Sequence, residues 1–159
     1  MKVRLARAED VPELVAVVRR SITELCVAEY RGDPAVLARW LANKTAQNFA
    51  RWVADERHVV FVADDGGRVA GVGMLSRDGE VQLDYVSPDF RFRGVSKALL
   101  AEMEAEGQAL GLAEMWLAAT QLATPMYESR GWVVTGEVES QFGTLPGRMM
   151  RKRRFLICS

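Results

Sequence analysis

The sequence predicts a single mixed α/β domain, and three observations predict it. The chain has 159 residues, enough for one buried core and too few for two ordinary domains. Its apolar pattern switches along the chain from alternating to helical spacing and back more than once, which is the signature of interspersed strands and helices. No internal repeat, low-complexity tract or Pro/Gly/Ser-rich linker divides it, so residues 1–159 form one unit.

Lys2 to Arg7 alternates polar and apolar residues and reads as a strand. Glu9, Asp10 and Pro12 open a helix, because acids suit its positive end and proline is tolerated in the first turn. Leu14, Val15, Val18, Ile22 and Leu25 carry its apolar face, and Arg31-Gly32 breaks it. Asp33 caps and Pro34 begins a second helix with Val36, Leu37, Trp40 and Leu41 on one face. A third starts at Thr45 and runs through Phe49, Trp52 and Val53. His58 to Ala63, Arg68 to Ser76 and Glu80 to Val86 then have period two. The turns Asp64-Asp65-Gly66-Gly67 and Arg77-Asp78-Gly79 join them into an antiparallel meander. Ser87 to Arg93 is a loop, and a helix carrying Val95, Leu99, Met103 and Leu110 ends near Gly111. Glu114 to Ala119 is a strand, and Thr124 to Arg130 a short helix closed by Gly131. Trp132 to Glu139 and Arg148 to Ile157 form a final strand pair.

Composition narrows the function. Apolar residues are 49% and charged residues 26%, which excludes global disorder. Basic and acidic residues number 21 each, so the basic excess of a nucleic-acid binder is missing. One histidine and two distant cysteines, Cys26 and Cys158, supply neither a multi-histidine metal site nor a disulfide framework. No uncharged apolar run approaches the roughly 18 residues a bilayer requires. MKVRLARAED lacks the apolar centre of a signal peptide. The expectation is a cytoplasmic protein with reduced thiols, no metal, no membrane partner and no nucleic-acid partner.

The stretch VQLDYVSPDFRFRGVSKALL, residues 81 to 100, carries chemistry. A strand enters a loop, and Gly94 sits where that loop enters a helix. The first-turn N–H groups have no intrahelical partners and, with the helix dipole, suit a phosphate or pyrophosphate. Gly94 permits close approach, Arg91 and Arg93 add positive charge, and Ser96 is small. A plain structural turn has the same appearance. The string is neither a P-loop nor a dinucleotide fingerprint; Gly71-Val72-Gly73 lies inside a strand and marks a bulge or tight packing.

The order of elements and two local patterns resemble the GNAT family of N-acetyltransferases. Arg91-Phe92-Arg93-Gly94-Val95-Ser96 is similar to its pyrophosphate loop, [Q/R]-x-x-G-x-[G/A], and follows Val86-Ser87-Pro88 as the family's V-x-P segment does. Tyr127-Glu128-Ser129-Arg130-Gly131-Trp132 is similar to Y-E-x-x-G-[F/W], and VRLARAEDVPEL to the family's first strand and helix. Ser96 departs from the usual glycine or alanine, Phe92 from a frequent glycine, and Gln121 and Thr124 from a frequent asparagine and alanine.

The resemblance implies a GNAT-like domain with a mixed, mostly antiparallel central sheet of about seven strands and helices on both faces. It implies acetyl-coenzyme A as cosubstrate, lying where the sheet splays beside the strand that precedes the short helix. Cofactor contacts are then expected at Tyr85, Val86, Arg91, Phe92, Arg93, Gly94, Val95, Ser96, Lys97 and Gln121. A backbone N–H near Val86 would hold the developing oxyanion, and the Ser96 hydroxyl would donate to a phosphate. Tyr127 matches the family's acid for the departing thiolate, with a core aromatic as the plain alternative. Glu80, eleven positions ahead of Arg91, and Asp84 are base candidates beside water. Residues 80, 82, 84 and 86 share a strand face, so the two carboxylates would line one groove. Their alternative is solvated strand charge.

Other features have bland readings beside functional ones. Arg148, Arg151, Lys152, Arg153 and Arg154 suit an acidic partner or coenzyme A phosphates, or simply charge an edge strand. Trp40, Trp52, Tyr30 and Phe49 pack a core or wall an acceptor pocket. Cys26 reads as a small buried hydrophobe, and His58 as a surface residue. The expected activity is acetylation of a primary amine on a small-molecule or peptide acceptor. A GNAT-fold acyl-coenzyme A sensor without turnover is the first alternative, and a polyanion-binding protein with a coincidental loop the second. Several family members pair, so a homodimer is among the arrangements the resemblance implies.

Overall fold

The computed structural model describes residues 1–153; Arg154, Ile157 and Cys158 of the sequence analysis lie outside them. Strand β1 (Lys2–Leu5) leads through a 3-10 turn into helix α1 (Val11–Leu25). The apolar face of α1 is Val11, Leu14, Val17, Val18 and Ile22, all buried, while Val15 and Leu25 sit at its margins. Each such side chain stabilises by about 2 kcal/mol relative to exposure. The chain does not continue as one helix to Arg31. It bends at Cys26, where φ is −108° and ψ is 26°, and resumes as the single turn α2 (Val27–Tyr30). Asp33 and Thr45 cap α3 (Pro34–Leu41) and α4 (Ala46–Ala54) by accepting from Ala35 N and Asn48 N.

Strands β2 (His58–Asp65), β3 (Arg68–Ser76) and β4 (Val81–Val86) form the expected antiparallel meander, and β1 adds to β2. Helix α5 (Val95–Ala109) crosses this sheet against β3, opposite α1 to α4. A Cβ on Gly71 would lie 2.6 Å from Val95 Cγ1 and 2.9 Å from Tyr85 O, so only glycine admits the helix that close. The Gly-Val-Gly segment therefore serves packing. Strand β5 (Glu114–Ala119), helix α6 (Thr124–Ser129) and strands β6 (Val133–Val138) and β7 (Gly147–Arg153) complete the described chain, with β7 between β5 and β6.

One expectation is corrected here. The seven strands do not make one central sheet; they make a four-stranded sheet, β1-β2-β3-β4, and a three-stranded sheet, β5-β7-β6. The two meet at one parallel bridge, Glu80 to Trp116, where Trp116 N donates to Gly79 O at 3.0 Å. Gly79 has φ +122°, and a Cβ there would lie 2.9 Å from Glu114 O. Past this pinch β4 bonds only to β3, and β5 only to β7. Their facing edges are left open, and cavities form between them.

Candidate active site

Strand β4 is an edge strand whose hydrogen-bond phase can be read from its end. Ser87 N donates to Ala70 O at 2.8 Å. Antiparallel pairs alternate between bonded and non-bonded, so Tyr85 and Leu83 bond to β3. The N–H groups of Val86 and Asp84 point to the open edge facing β5. The loop beyond is tied down. Ser87 Oγ accepts from Asp89 N, and Asp89 accepts from Arg20 of α1 and Arg68 of β3. Phe90 is buried between the Arg68 and Arg93 guanidinium groups, 4.9 and 5.3 Å from its ring centre.

Helix α5 starts at Gly94, where φ is +73° and no side chain caps the amides. The first intrahelical bond closes from Ala98 N to Gly94 O. The N–H groups of Val95, Ser96 and Lys97 are thus left for a ligand, with Arg91 and Arg93 exposed beside them. Phe92 takes a left-handed φ of +63° that favours glycine, and the residue is 92% exposed, with the Arg91 guanidinium 4.6 Å from its ring centre.

Two cavities flank the opening. The smaller, about 340 Å³, runs from Arg91, Phe92 and Ser96 past Asp84 and Val86 to Ala123, Met126 and Tyr127. The larger, about 460 Å³, lies towards α2 to α4 and the β6–β7 connection and includes Trp40, Lys44, Trp52, Glu80 and Phe142. They share residues 81–83 and Tyr85 of β4, Ala118 and Ala119 of β5, and Thr120 just beyond it.

Asp84 and Tyr127 meet in the smaller cavity. The Tyr127 hydroxyl donates to Asp84 Oδ2 at 3.0 Å, and Ser96 Oγ donates to the same carboxyl at 3.0 Å. The Asp84 carboxyl is enclosed although its residue is partly exposed. Burial pushes it up to about 7, against the two hydrogen bonds that pull it down. Burial, then the neighbouring Asp84 charge, raise the Tyr127 phenol well above 10, so it stays protonated at neutral pH. Burial likewise raises the Tyr85 phenol.

The expected residues divide. Tyr85, Val86, Arg91, Phe92, Ser96, Asp84 and Tyr127 line the smaller cavity, with Arg93, Gly94, Val95 and Lys97 at its α5 end. The Ser96 hydroxyl is engaged by Asp84 rather than turned to a phosphate. Glu80 lines the larger cavity and accepts from Gln82 Nε2 at 3.4 Å, so the two carboxylates do not share a groove. Gln121 is exposed and donates to Pro146 O at 3.2 Å; it lines neither cavity. Trp40 is buried against Phe142 and also walls the larger cavity with Trp52, so packing and lining coincide. His58, expected at the surface, lines that cavity with Nδ1 buried. Burial pushes the Cys26 thiol up to about 11, consistent with a small hydrophobe. Arg148, Arg151, Lys152 and Arg153 pair with Glu137, Glu114 and Glu104, as strand charge does. Glu29, Asn43, Lys44 and Phe142 escaped the sequence analysis, because they come from loops and helix ends without periodicity.

The comparisons with known proteins bear on the family and the fold. The family model "Acetyltransferase (GNAT) domain" matches residues 24–154. An uncharacterized N-acetyltransferase of Mycobacterium tuberculosis is 29% identical over 139 residues, 80% of this chain and 85% of the relative. A GCN5-related N-acetyltransferase from Rhodopseudomonas palustris superposes with a TM-score of 0.84 at 22% identity, over 96% of this chain and 94% of the other. The PaiA N-acetyltransferase of Thermoplasma acidophilum, solved in complex with coenzyme A, superposes with a TM-score of 0.80 at 18% identity, over 96% and 98%.

Proposed function

The chain belongs to the GNAT acetyltransferase family, and from that premise we propose that it transfers acetyl from acetyl-coenzyme A directly to a primary amine of its acceptor, both bound at once. The observation that carries this reading is the shared wall. The smaller cavity begins at an uncapped helix end with two arginines, the larger is a separate chamber, and both open on the same residues of β4 and β5.

The amides of Val95, Ser96 and Lys97 with Arg91 and Arg93 fit a pyrophosphate, so the cosubstrate lies in the smaller cavity with its thioester at the open β4 edge. The acceptor amine enters from the larger cavity. It loses a proton to Glu80, directly or through water, and its nitrogen attacks the thioester carbon. The C–N bond forms as the C–S bond breaks. The Val86 N–H faces the developing oxyanion, a donor worth about 3 kcal/mol in such sites. The departing thiolate takes the Tyr127 proton. Asp84 positions that hydroxyl, and Ser96 holds Asp84 against α5.

Thermal unfolding with and without acetyl-coenzyme A tests the reading. At 100 times the dissociation constant the ligand adds about 2.7 kcal/mol, which should raise the midpoint by roughly 5 to 10 °C. Thiol release with an amine panel should follow. No midpoint shift at millimolar ligand would overturn the cofactor site; a shift without thiol release would favour the sensor alternative.

A further inference from the structure

The larger cavity holds a cation without a counter-ion. Lys44 is 4% exposed. Its Nζ donates to Asn43 Oδ1 at 2.6 Å and lies 5.1 Å from the centre of the Phe142 ring. No carboxylate among the described residues pairs with it, and burial pushes the ammonium down to about 8. At neutral pH it therefore remains mostly charged, held by one neutral amide and a ring face. That is poor compensation for a buried charge.

The placement is built. Arg19 of α1 donates to Leu41 O at 2.9 Å and to Lys44 O at 3.0 Å, and Asn48 Nδ2 donates to Asn43 O at 2.8 Å. The carbonyls of Leu41 at the end of α3 and of Asn43 and Lys44 beyond it are thus braced, and the lysine stem is held in the cavity instead of reaching for water. The same chamber contains two buried polar atoms without partners, His58 Nδ1 and Gln82 Oε1. Gln82 lines both cavities. Its Nε2 reaches the Glu80 carboxylate at 3.4 Å and its Oε1 is left without a partner, on the wall where the proposed amine and thioester would meet. Trp40, Trp52 and Phe142 supply apolar wall.

We propose that the acceptor is an amine that also carries an anionic group, a carboxylate or a phosphate ester, which Lys44 binds while Gln82 and Glu80 receive the amine. This rests on the acetyl-transfer reading and names its substrate class.

The test is thermal unfolding of the protein saturated with coenzyme A, with matched probes. Phenylalanine is set beside its amide, 4-aminobutyrate beside its amide, and phosphoethanolamine beside ethanolamine. An anionic member should raise the midpoint further than its neutral counterpart, and the carboxylate and phosphate arms separate the two sources. In Lys44→Met its apparent affinity should fall roughly 10- to 100-fold, the loss expected for one charge-assisted hydrogen bond. Lys44→Arg, which keeps the charge, should recover part of it. Equal binding of the neutral members, undiminished binding in Lys44→Met, or no response to any anionic probe while coenzyme A still stabilises would each overturn the proposal. A missing response to coenzyme A itself would instead remove the acetyl-transfer reading, and the proposal with it.

Discussion

The carboxyl of Asp84 titrates far from its ordinary range, and folding must register it. Burial moves it from 3.8 to about 7, because the enclosed charge loses more hydration than Ser96 and Tyr127 return. The folded state therefore keeps a proton that the unfolded chain has released over that interval. With a raised folded value, the contribution is fully present below the unfolded value. It declines as pH rises and levels off above the folded one. At about 1.36 kcal/mol per unit the whole change is roughly 4 kcal/mol, of which about 3 kcal/mol falls between pH 5 and pH 8. Asp84→Asn preserves shape and both hydroxyl contacts but cannot ionise. Urea unfolding of both proteins at pH 5, 6, 7 and 8 isolates the group, since every other titration is shared. The stability of the wild type relative to the variant should drop by about 3 kcal/mol across the series. A difference constant with pH would refute the reasoning, showing a carboxylate ionised throughout.

Other outcomes follow from the same geometry. Tyr127→Phe should lower kcat by roughly 100-fold or more while leaving the midpoint shift with coenzyme A intact; unchanged turnover would remove its acid role. Arg93→Glu should weaken coenzyme A binding by roughly 10- to 100-fold in calorimetric titration, as one charge-assisted contact is lost; unchanged affinity would misplace the pyrophosphate. Gly79→Ala should cost about 2 to 3 kcal/mol in urea unfolding, because its Cβ would meet Glu114 O at 2.9 Å with φ at +122°; an unaffected midpoint would mean the pinch between the sheets is not constrained there.

What the sequence made legible is what local chemistry decides. Asp33 before Pro34 and Thr45 before a helical face cap helices because a side-chain oxygen beside unpaired amides is sufficient cause. Gly94 before an apolar helix marks an uncapped start for the same reason. Less legible are features set by residues distant in sequence. The division into two sheets depends on Gly79 fitting against Glu114 and Trp116, some 35 positions later, and no alternation of apolar residues reports it. Period two placed Glu80 and Asp84 on one face, but Glu80 precedes β4 at the pinch, next to the register shift at Met74/Leu75, and its side chain goes to the other cavity. Gln121 was read through its amide; the structure directs that amide to Pro146 O. The larger cavity draws Lys44 and Phe142 from connections with no periodicity at all.

Direct transfer fits the chemistry of the walls better than a two-step route through the protein. A covalent route needs a nucleophile at the thioester end of the smaller cavity. Among the thiol and hydroxyl groups that line it, Cys26 and Ser96 are each committed elsewhere. The Cys26 thiol is pushed up to about 11 by burial, so almost none is thiolate at neutral pH. The Ser96 hydroxyl donates to Asp84, the carboxyl that also holds the Tyr127 hydroxyl, so it is engaged in positioning that pair. The open edge of β4 offers instead two outward amide N–H groups, at Asp84 and Val86, which stabilise charge without forming bonds to it. An edge strand is ordinarily a liability for a soluble sheet. Here the fold leaves one edge of β4 unpaired beyond the Glu80 bridge, with a cavity on either side, an arrangement that would let an amine reach a thioester without passing through the protein.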